Sequence, residues 1–397
     1  MNILSVHNLY LHRGGEDVST EYEIALLRES GHNVVEYRSD NHSLVGDSMF
    51  EVGIRSIWNQ QAYRQIVNLV RERKIDLVKI DNFFPQISPA VYYAAHFAGV
   101  PSVQTLRNYR IGCPGALLYR NGSICEKCVG KNFAWPGILH GCYRGSHIVT
   151  AAPALMSALH RVAGTWQHRV TAYVALTDFS RDKFVEIGLP AEKIFVKPNF
   201  APDTGTRPGA GGYALYVGRL SQGKGVDTLI EAWKLLGNPI KLKIVGSGPL
   251  HGEFATATAT SSVELLGEQP LARVYELAGD ASMVIFPSTW FETFGRIVAE
   301  SFALGTPVIA ARLGSMPAMI DHQKSGLLFE PGDSQSLAAQ VRWMLDHKER
   351  WPAMRAAARA AYEQNYTPAR NYQRMMEIYS WAISKQSAKA GRSAHAI

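Results

Sequence analysis

No cysteine lies outside residues 113–142 of this 397-residue chain. That excludes a disulfide framework spread over the fold, and thiols are expected. Long apolar runs are absent too. The longest uncharged, moderately apolar run, Gly145 to His160, is too short and too polar to span a bilayer and contains Pro153. The opening MNILSVHNLY has no basic leader and turns polar at His7, so a first strand is expected rather than a signal peptide, and a cytoplasmic location with it. Acidic residues are nearly missing from one segment. Between Pro101 and Thr177 a single acid, Glu126, accompanies eight Lys or Arg, whereas the remainder has 33 basic and 33 acidic residues. This segment carries the whole excess of +7. A solvated basic surface fits it, and so does a patch facing anionic lipid headgroups or a phosphate-bearing acceptor. No nucleic-acid binding motif accompanies the charge, which argues against that partner.

What is present is a repeated strand, glycine turn and helix. A chain of this length exceeds one core, so two domains of about 200 residues are expected. Apolar residues at 46% and charged at 19% suit a soluble, folded protein. In the first half, strands are predicted at Asn2–Val6, Asn33–Tyr37, Leu77–Ile80, Ser102–Thr105, Ala172–Leu176 and Ile194–Lys197. Between them lie helical patterns that include one long helix from Val52 to Arg73. Gly14 and Gly15 follow the first strand, a geometry for phosphate approach or for a simple tight turn. Asp81-Asn82 end the third strand, where ligands gather in open parallel sheets. Pro198 to Gly212, rich in proline and glycine, is the expected linker. The alternation then restarts, with strands at Ala214–Val217, Leu242–Val245, Val263–Leu266, Met283–Phe286 and Gly326–Phe329. Arg219 and Lys224 flank the first glycine loop of this half. They are either surface ion-pair partners or fixed cations for a leaving diphosphate.

One stretch combines several signals. Met283 to Ala310 reads as a buried strand, a loop with Glu292, a helix opening near Phe294 that holds Glu300, then Gly305-Thr306-Pro307 and a second buried strand. Eight residues on a helix correspond to about 12 Å of rise and roughly 80° of rotation. Two carboxylates so placed suit two hydroxyl-bearing rings joined by a diphosphate, with the helix start offering N–H groups to its oxygens. From Leu106 to His147 the alternation breaks in an insertion holding Cys113, Cys125, Cys128 and Cys142. Their spacing, with a Cys-x2-Cys pair at its centre, offers four thiolates for a structural zinc; buried small hydrophobes or inert thiols are the alternative. At the end of the chain Tyr372, Met375, Met376, Tyr379 and Ile383 form one apolar stripe, and a disordered tail is expected over 386–397.

Gly218-Arg219-Leu220 with Lys224-Gly225, Gly246-Ser-Gly-Pro249, Glu292-x7-Glu300, Gly305-Thr-Pro307 and Gly326-Leu-Leu-Phe329, in that order, resemble the retaining glycosyltransferases of family GT4. The first half, through TLRNYRIGCPG, the Cys-x2-Cys and the WPG at Trp135, is similar to a GT4 subgroup with a cysteine-bearing insertion. The resemblance implies an α/β GT-B fold: two Rossmann-like domains facing across a cleft, with a C-terminal helix crossing back. Residues 1–198 would form the N-terminal domain with insertion 106–147, 199–368 the nucleotide-sugar domain, and 369–385 the crossover helix. It further implies Arg219 and Lys224 on the donor diphosphate, Glu292 on the transferred sugar beside the N–H groups of Thr293, Phe294 and Gly295, and Glu300 on the ribose. Gly14 and Gly15 would close over the diphosphate, and 265–271 would line the base. The expected partners are a nucleotide-sugar donor and a saccharide or lipid-linked acceptor, with no cofactor for catalysis and contact with the inner membrane face. A GT-B epimerase and a non-catalytic GT-B subunit are the competing readings. The chain departs from the pattern where members often carry histidine: it has Arg107 in one such place and Asp81 beside Asn82 in the other. Those three residues are acceptor-side candidates. The pair Pro-Glu common after the glycine loop is Pro317-Ala318 here.

Overall fold

A computed structural model describes residues 1–11, 13–41, 46, 48–237, 239–252 and 262–394, with side chains to residue 388. It divides into two compact units. The first comprises Met1–Leu118, Cys125–Pro198 and Tyr372–Ile397, and the second Tyr119–Ile124 and Asn199–Asn371. The change of unit at Pro198 falls where the proline-rich linker begins. Six residues of the insertion, the short hairpin Tyr119–Ile124, belong with the second unit instead of the first.

In the first unit six strands lie side by side, all parallel: β1 (Asn2–Leu9), β2 (Asn33–Asp40), β3 (Leu77–Asn82), β4 (Ser102–Thr105), β7 (Ala172–Ala175) and β8 (Ile194–Val196). Their order is β2-β1-β3-β4-β7-β8. The numbers β5 (Tyr119–Arg120) and β6 (Ser123–Ile124) belong to the antiparallel hairpin of the insertion. β3, β4 and β7 are buried along their whole length, as central parallel strands covered on both faces must be.

The single helix predicted from Val52 to Arg73 is two, Met49–Ile57 and Gln60–Glu72. Trp58 is extended at φ −148°, ψ 119°, and Asn59 caps the second helix by accepting from the Ala62 N–H. The apolar period carries through this break and so concealed it. Asn is among the best N-cap residues, and that was the available signal.

The last helix, Pro368–Ala394, leaves the second unit and packs Met375, Ile378, Tyr379 and Ala382 into the first unit's core with Ile3, Ile24, Leu27, Leu77, Val103 and Val174. This is the crossing-back helix that the resemblance implied, and the apolar stripe is the side it packs on the core. It runs past Lys385, where a disordered tail was expected, because nothing in Gln386–Ala388 breaks a helix whose costly nucleus already formed upstream. Residues 395–397 lie outside the described residues.

The second unit holds β9 (Tyr213–Val217), β10 (Lys241–Val245), β11 (Val263–Gly267), β12 (Met283–Phe286), β13 (Val308–Ala311) and β14 (Gly326–Phe329). All are parallel, in the order β11-β10-β9-β12-β13-β14. The chain winds outward from β9 in one direction, then returns to add β12 at its other side. The helices that follow β9 and β12 therefore leave for opposite faces, opening a crevice at the carboxyl ends of these two strands. The first unit has its own reversal between β1 and β3.

Candidate functional site

The loop after β9, Gly218 to Gly225, and the loop after β12, Pro287 to Gly295, meet at the reversal of the second sheet. Their approach depends on glycine. Gly225 sits at φ 68° as the N-cap of helix Val226–Leu236, and a Cβ there would lie 1.8 Å from the Pro287 carbonyl oxygen. Gly246, at φ 127° after β10, would put a Cβ 2.0 Å from the Gly218 carbonyl oxygen. No other residue type allows these backbones so close. Hydrogen bonding then fixes the loops: Thr289 N–H donates to the Gly223 carbonyl at 2.8 Å, and Ser288 Oγ lies 3.2 Å from the same oxygen. Tyr119, from the hairpin of the insertion, stands edge-on to Trp290 with centroids 6.1 Å apart and its hydroxyl 3.2 Å from Thr289 Oγ1.

Lys224 and Glu292, predicted from separate motifs, are one pair. Lys224 Nζ donates to Glu292 Oε1 at 2.6 Å and lies 4.6 Å from the centre of the Trp290 ring. Ser288 Oγ donates to the same carboxylate oxygen at 3.0 Å, and Ser315 Oγ donates to the Glu292 carbonyl at 3.0 Å. Backbone and side chain of Glu292 are thus both held, while the pair stays about a quarter exposed. Burial, and then the Glu292 carboxylate, push the Tyr216 phenol well above its ordinary value, keeping it a neutral donor, bonded at 3.2 Å to the Arg219 carbonyl. The Arg219 side chain is exposed at the mouth of this loop.

Glu292 lies in the loop before the helix, as expected, and the helix that holds Glu300 spans Arg296–Ala303, opening two residues after Phe294. Thr293 and Phe294 lead into its N-cap, Gly295, which has no side chain to accept from the first turn. Phe294 is buried edge-on against Tyr366, fixing the entry of the chain. Glu300 is also buried; Arg296 Nε donates to its Oε1 at 2.8 Å and the Tyr275 hydroxyl at 3.3 Å. Sequence reasoning found Glu300 and missed Arg296, although the Arg-x3-Glu spacing on a helix is an ion-pair signal. Within 265–271, Glu268 Oε1 accepts from Ser247 Oγ at 2.8 Å, tying the loops after β10 and β11 together.

In the first unit, Gly14 caps helix Gly15–Glu29, its N–H donating to Asp17 Oδ2 at 2.8 Å. Gly14 is extended at φ −124°, so the pair is a helix start and needs no left-handed turn. Arg107 and Asp81, two of the acceptor-side candidates, are 5% and 3% exposed. Arg107 donates through Nε to Asp81 Oδ1 at 2.9 Å, and its other nitrogen lies 3.4 Å from Glu23 Oε2. Lys79 pairs with Glu23 at 2.8 Å and with Asp81, and Lys197 pairs with Glu23 at 2.6 Å. A buried charge must find partners, and these five supply one another. Burial would raise the Glu23 carboxyl, but Lys197, Lys79 and Arg107 outweigh it and hold the group well below its ordinary range. Asn82 serves the backbone, donating to the Asn8 carbonyl at 2.7 Å and accepting from the Phe84 N–H at 3.1 Å. Part of the basic excess of 101–177 is therefore internal.

All four cysteines are thiols, with Cys113 and Cys128 buried. Burial first, then the neighbouring Cys113, Cys142 and Cys125, push the Cys128 thiol up to about 11. Among the described residues no group of three or more His, Cys, Asp or Glu is set as metal ligands. Cys128 Sγ instead points at the Ala134 carbonyl within a small cluster with Ala134, Ala154 and Ile138.

Residues 203–363 match the family model for glycosyl transferases group 1. The amylovoran biosynthesis glycosyltransferase AmsK of Erwinia amylovora is 27% identical over 229 residues, 55% of this chain and 54% of that protein, so the match spans about half the length of that relative. An uncharacterised 42.6 kDa protein in the cps region of Klebsiella pneumoniae is 25% identical over 80% of this chain and 86% of its own. Among solved structures, HepE of Anabaena in complex with UDP superposes with a TM-score of 0.67 at 19% identity, covering 96% of this chain and all of that one. Sucrose-phosphate synthase of Thermosynechococcus elongatus gives 0.71 at 15% identity, over 97% and 99%. At these identities the structures show the fold, which is GT-B. The family model and the relatives support placement in the GT-B glycosyltransferase superfamily.

Proposed function

We propose that this chain, with a group 1 glycosyl transferase domain over residues 203–363 on a GT-B fold, is a retaining glycosyltransferase of the GT4 type. It moves a sugar from a nucleoside-diphosphate sugar to a saccharide or lipid-linked acceptor at the inner face of a membrane, in cell-surface polysaccharide or glycolipid assembly. The observation that carries this is the Lys224–Glu292 pair, held at the sheet reversal by two loops that only glycines allow to meet. An incoming diphosphate competes for the Lys224 ammonium, and Arg219 adds a second cation at the loop mouth. Glu292, relieved of its lysine, accepts hydrogen bonds from sugar hydroxyls. Glu300, oriented by Arg296 and Tyr275, accepts from the ribose. The N–H groups at the start of Arg296–Ala303 face the phosphate side.

Transfer then proceeds on one face of the sugar. The acceptor oxygen bonds to the anomeric carbon as the bond from that carbon to the diphosphate breaks. The departing phosphate oxygen takes the acceptor's proton, so the nucleoside diphosphate leaves protonated and configuration is kept. Negative charge grows on the leaving group, where Arg219 and Lys224 are fixed in advance to meet it. Amylovoran and colanic acid assembly are the settings of two relatives. UDP and UDP-glucose, bound in the HepE structures, are the first donor ligands to try. The experiment incubates the protein with a panel of nucleotide sugars and saccharide or polyprenyl-phosphate acceptors, and reads the product by NMR. An α-linked product from an α-linked donor supports the reading. Inverted product overturns retention, and interconversion of the donor without an acceptor marks an epimerase.

A further inference from the structure

Three helices of the first unit expose apolar side chains in place of the usual polar face. On helix His147–Val162 the exposed Ile148, Leu155, Leu159 and Val162 fall at i, i+7, i+11 and i+14, an arc of about 60° along about 21 Å of helix. Ile148 is 84% and Val162 87% exposed. The opposite side buries Thr150, Pro153, Ala154, Met156, Ser157 and His160, so the helix is fully packed on its own fold and the stripe is surplus to it. Helix Met49–Ile57 packs against it, with Gly53 facing Ala152 and the Ile57 carbonyl 3.0 Å from His160 Nε2, and exposes Met49, Phe50 and Ile54. Helix Trp135–Leu139 packs on its other end through the His147 ring and the Ile138 carbonyl, 2.8 Å apart, and exposes Trp135 and Leu139.

Charge says what covers this face. Across the three helices the one acid is Glu51, the segment 101–177 has one acid against eight basic residues, and Lys131 and Arg144 stand exposed just ahead of Trp135–Leu139 and His147–Val162 respectively. An apolar stripe with a cationic border fits the boundary between headgroups and acyl chains of an anionic leaflet. Among the described residues no helix is long and apolar enough to cross a bilayer, so contact is made lengthwise. We propose that Met49–Ile57, Trp135–Leu139 and His147–Val162 form one docking face for an anionic membrane surface, with Ile148, Phe50 and Trp135 entering the interface. It rests on the membrane-side location in the reading above, and gives it an address.

The test is flotation of the intact protein with vesicles of phosphatidylcholine alone and with added phosphatidylglycerol. The wild type is expected to float with the anionic vesicles, less so in high salt. Ile148→Glu with Val162→Glu, both on the surface, is expected to lower that partition tenfold or more, and Lys131→Glu with Arg144→Glu to remove its salt dependence. Binding of UDP in solution, measured on the same variants, is expected to stay unchanged. No flotation of the wild type, or equal flotation of the variants, overturns the proposal. So does a concentration-dependent dimer that Ile148→Glu dissolves, because a second copy would then cover the face. Intact flotation with no nucleotide binding would instead overturn the enzymatic reading and leave the docking face standing.

Discussion

Glu23→Gln removes one charge and almost no volume from the buried network of the first unit. The native cluster sets Lys79, Arg107 and Lys197 against Glu23 and Asp81. The substitution leaves three cations facing one carboxylate, in a place where Glu23 is 1% exposed. Removing one partner of a buried pair costs about 3–5 kcal/mol. At 1.36 kcal/mol per decade this makes amide exchange that depends on opening of the first unit about 10² to 10⁴-fold faster. Hydrogen exchange read by mass spectrometry separates peptides of β1, β3 and β4 from those of β9 to β14, which serve as the internal control. Adding Lys197→Met removes a surplus cation, so the double variant should recover at least about 1 kcal/mol, a coupling that distant sites do not show. The pH dependence has a definite sign. The folded Glu23 carboxyl lies below its unfolded value, near 4.3, so its stabilisation is complete above that pH and is lost as pH falls through the folded value. Wild type and variant should therefore converge in strong acid. A cost under about 1 kcal/mol at neutral pH, or equal acceleration in both units, would refute the reasoning.

Other outcomes follow from the site and the insertion. Lys224→Ala should lower the transfer rate about 10² to 10³-fold while changing unfolding stability by less than about 1 kcal/mol, since the pair it breaks is partly exposed. A matching loss of stability in urea would mean the lysine is structural. Gly225→Ala forces a Cβ against the Pro287 carbonyl at a left-handed position, so donor binding measured by calorimetry should fall; unchanged affinity would show that the loops tolerate separation. On the proposed reading Arg219 and Lys224 do the work of a divalent ion, so transfer should persist in excess chelator, and abolition restored by Mg²⁺ would contradict that. Cys128, with its thiol near 11, should be the slowest of the four to alkylate at pH 8, as peptide mapping would show.

The second unit was the more legible half because its signals are backbone signals. Glycine loops after β9 and β10, the Gly305-Thr-Pro307 turn and uninterrupted apolar strands have few alternative conformations, and Lys224 and Glu292 duly meet. Side-chain partnerships were less readable. Arg107 and Asp81 look like surface groups in a string of letters, and only the register of β3 beside β4, with Glu23 and Lys197 brought in from distant segments, makes them internal. The Trp58-Asn59 break was hidden by a continuing apolar period. Hairpin Tyr119–Ile124 was missed although its turn, Asn121-Gly122 at φ 49° and 80°, is a hairpin signal; that it joins the second unit has no sequence signal.

The central claim is that the loops after β9 and β12 hold a nucleoside diphosphate. Isothermal titration of UDP, GDP, ADP and TDP into wild type and Lys224→Ala tests it most directly. The account predicts saturable binding of at least one diphosphate by the wild type and its loss in the variant; no binding by any, or equal affinity in both proteins, would contradict it.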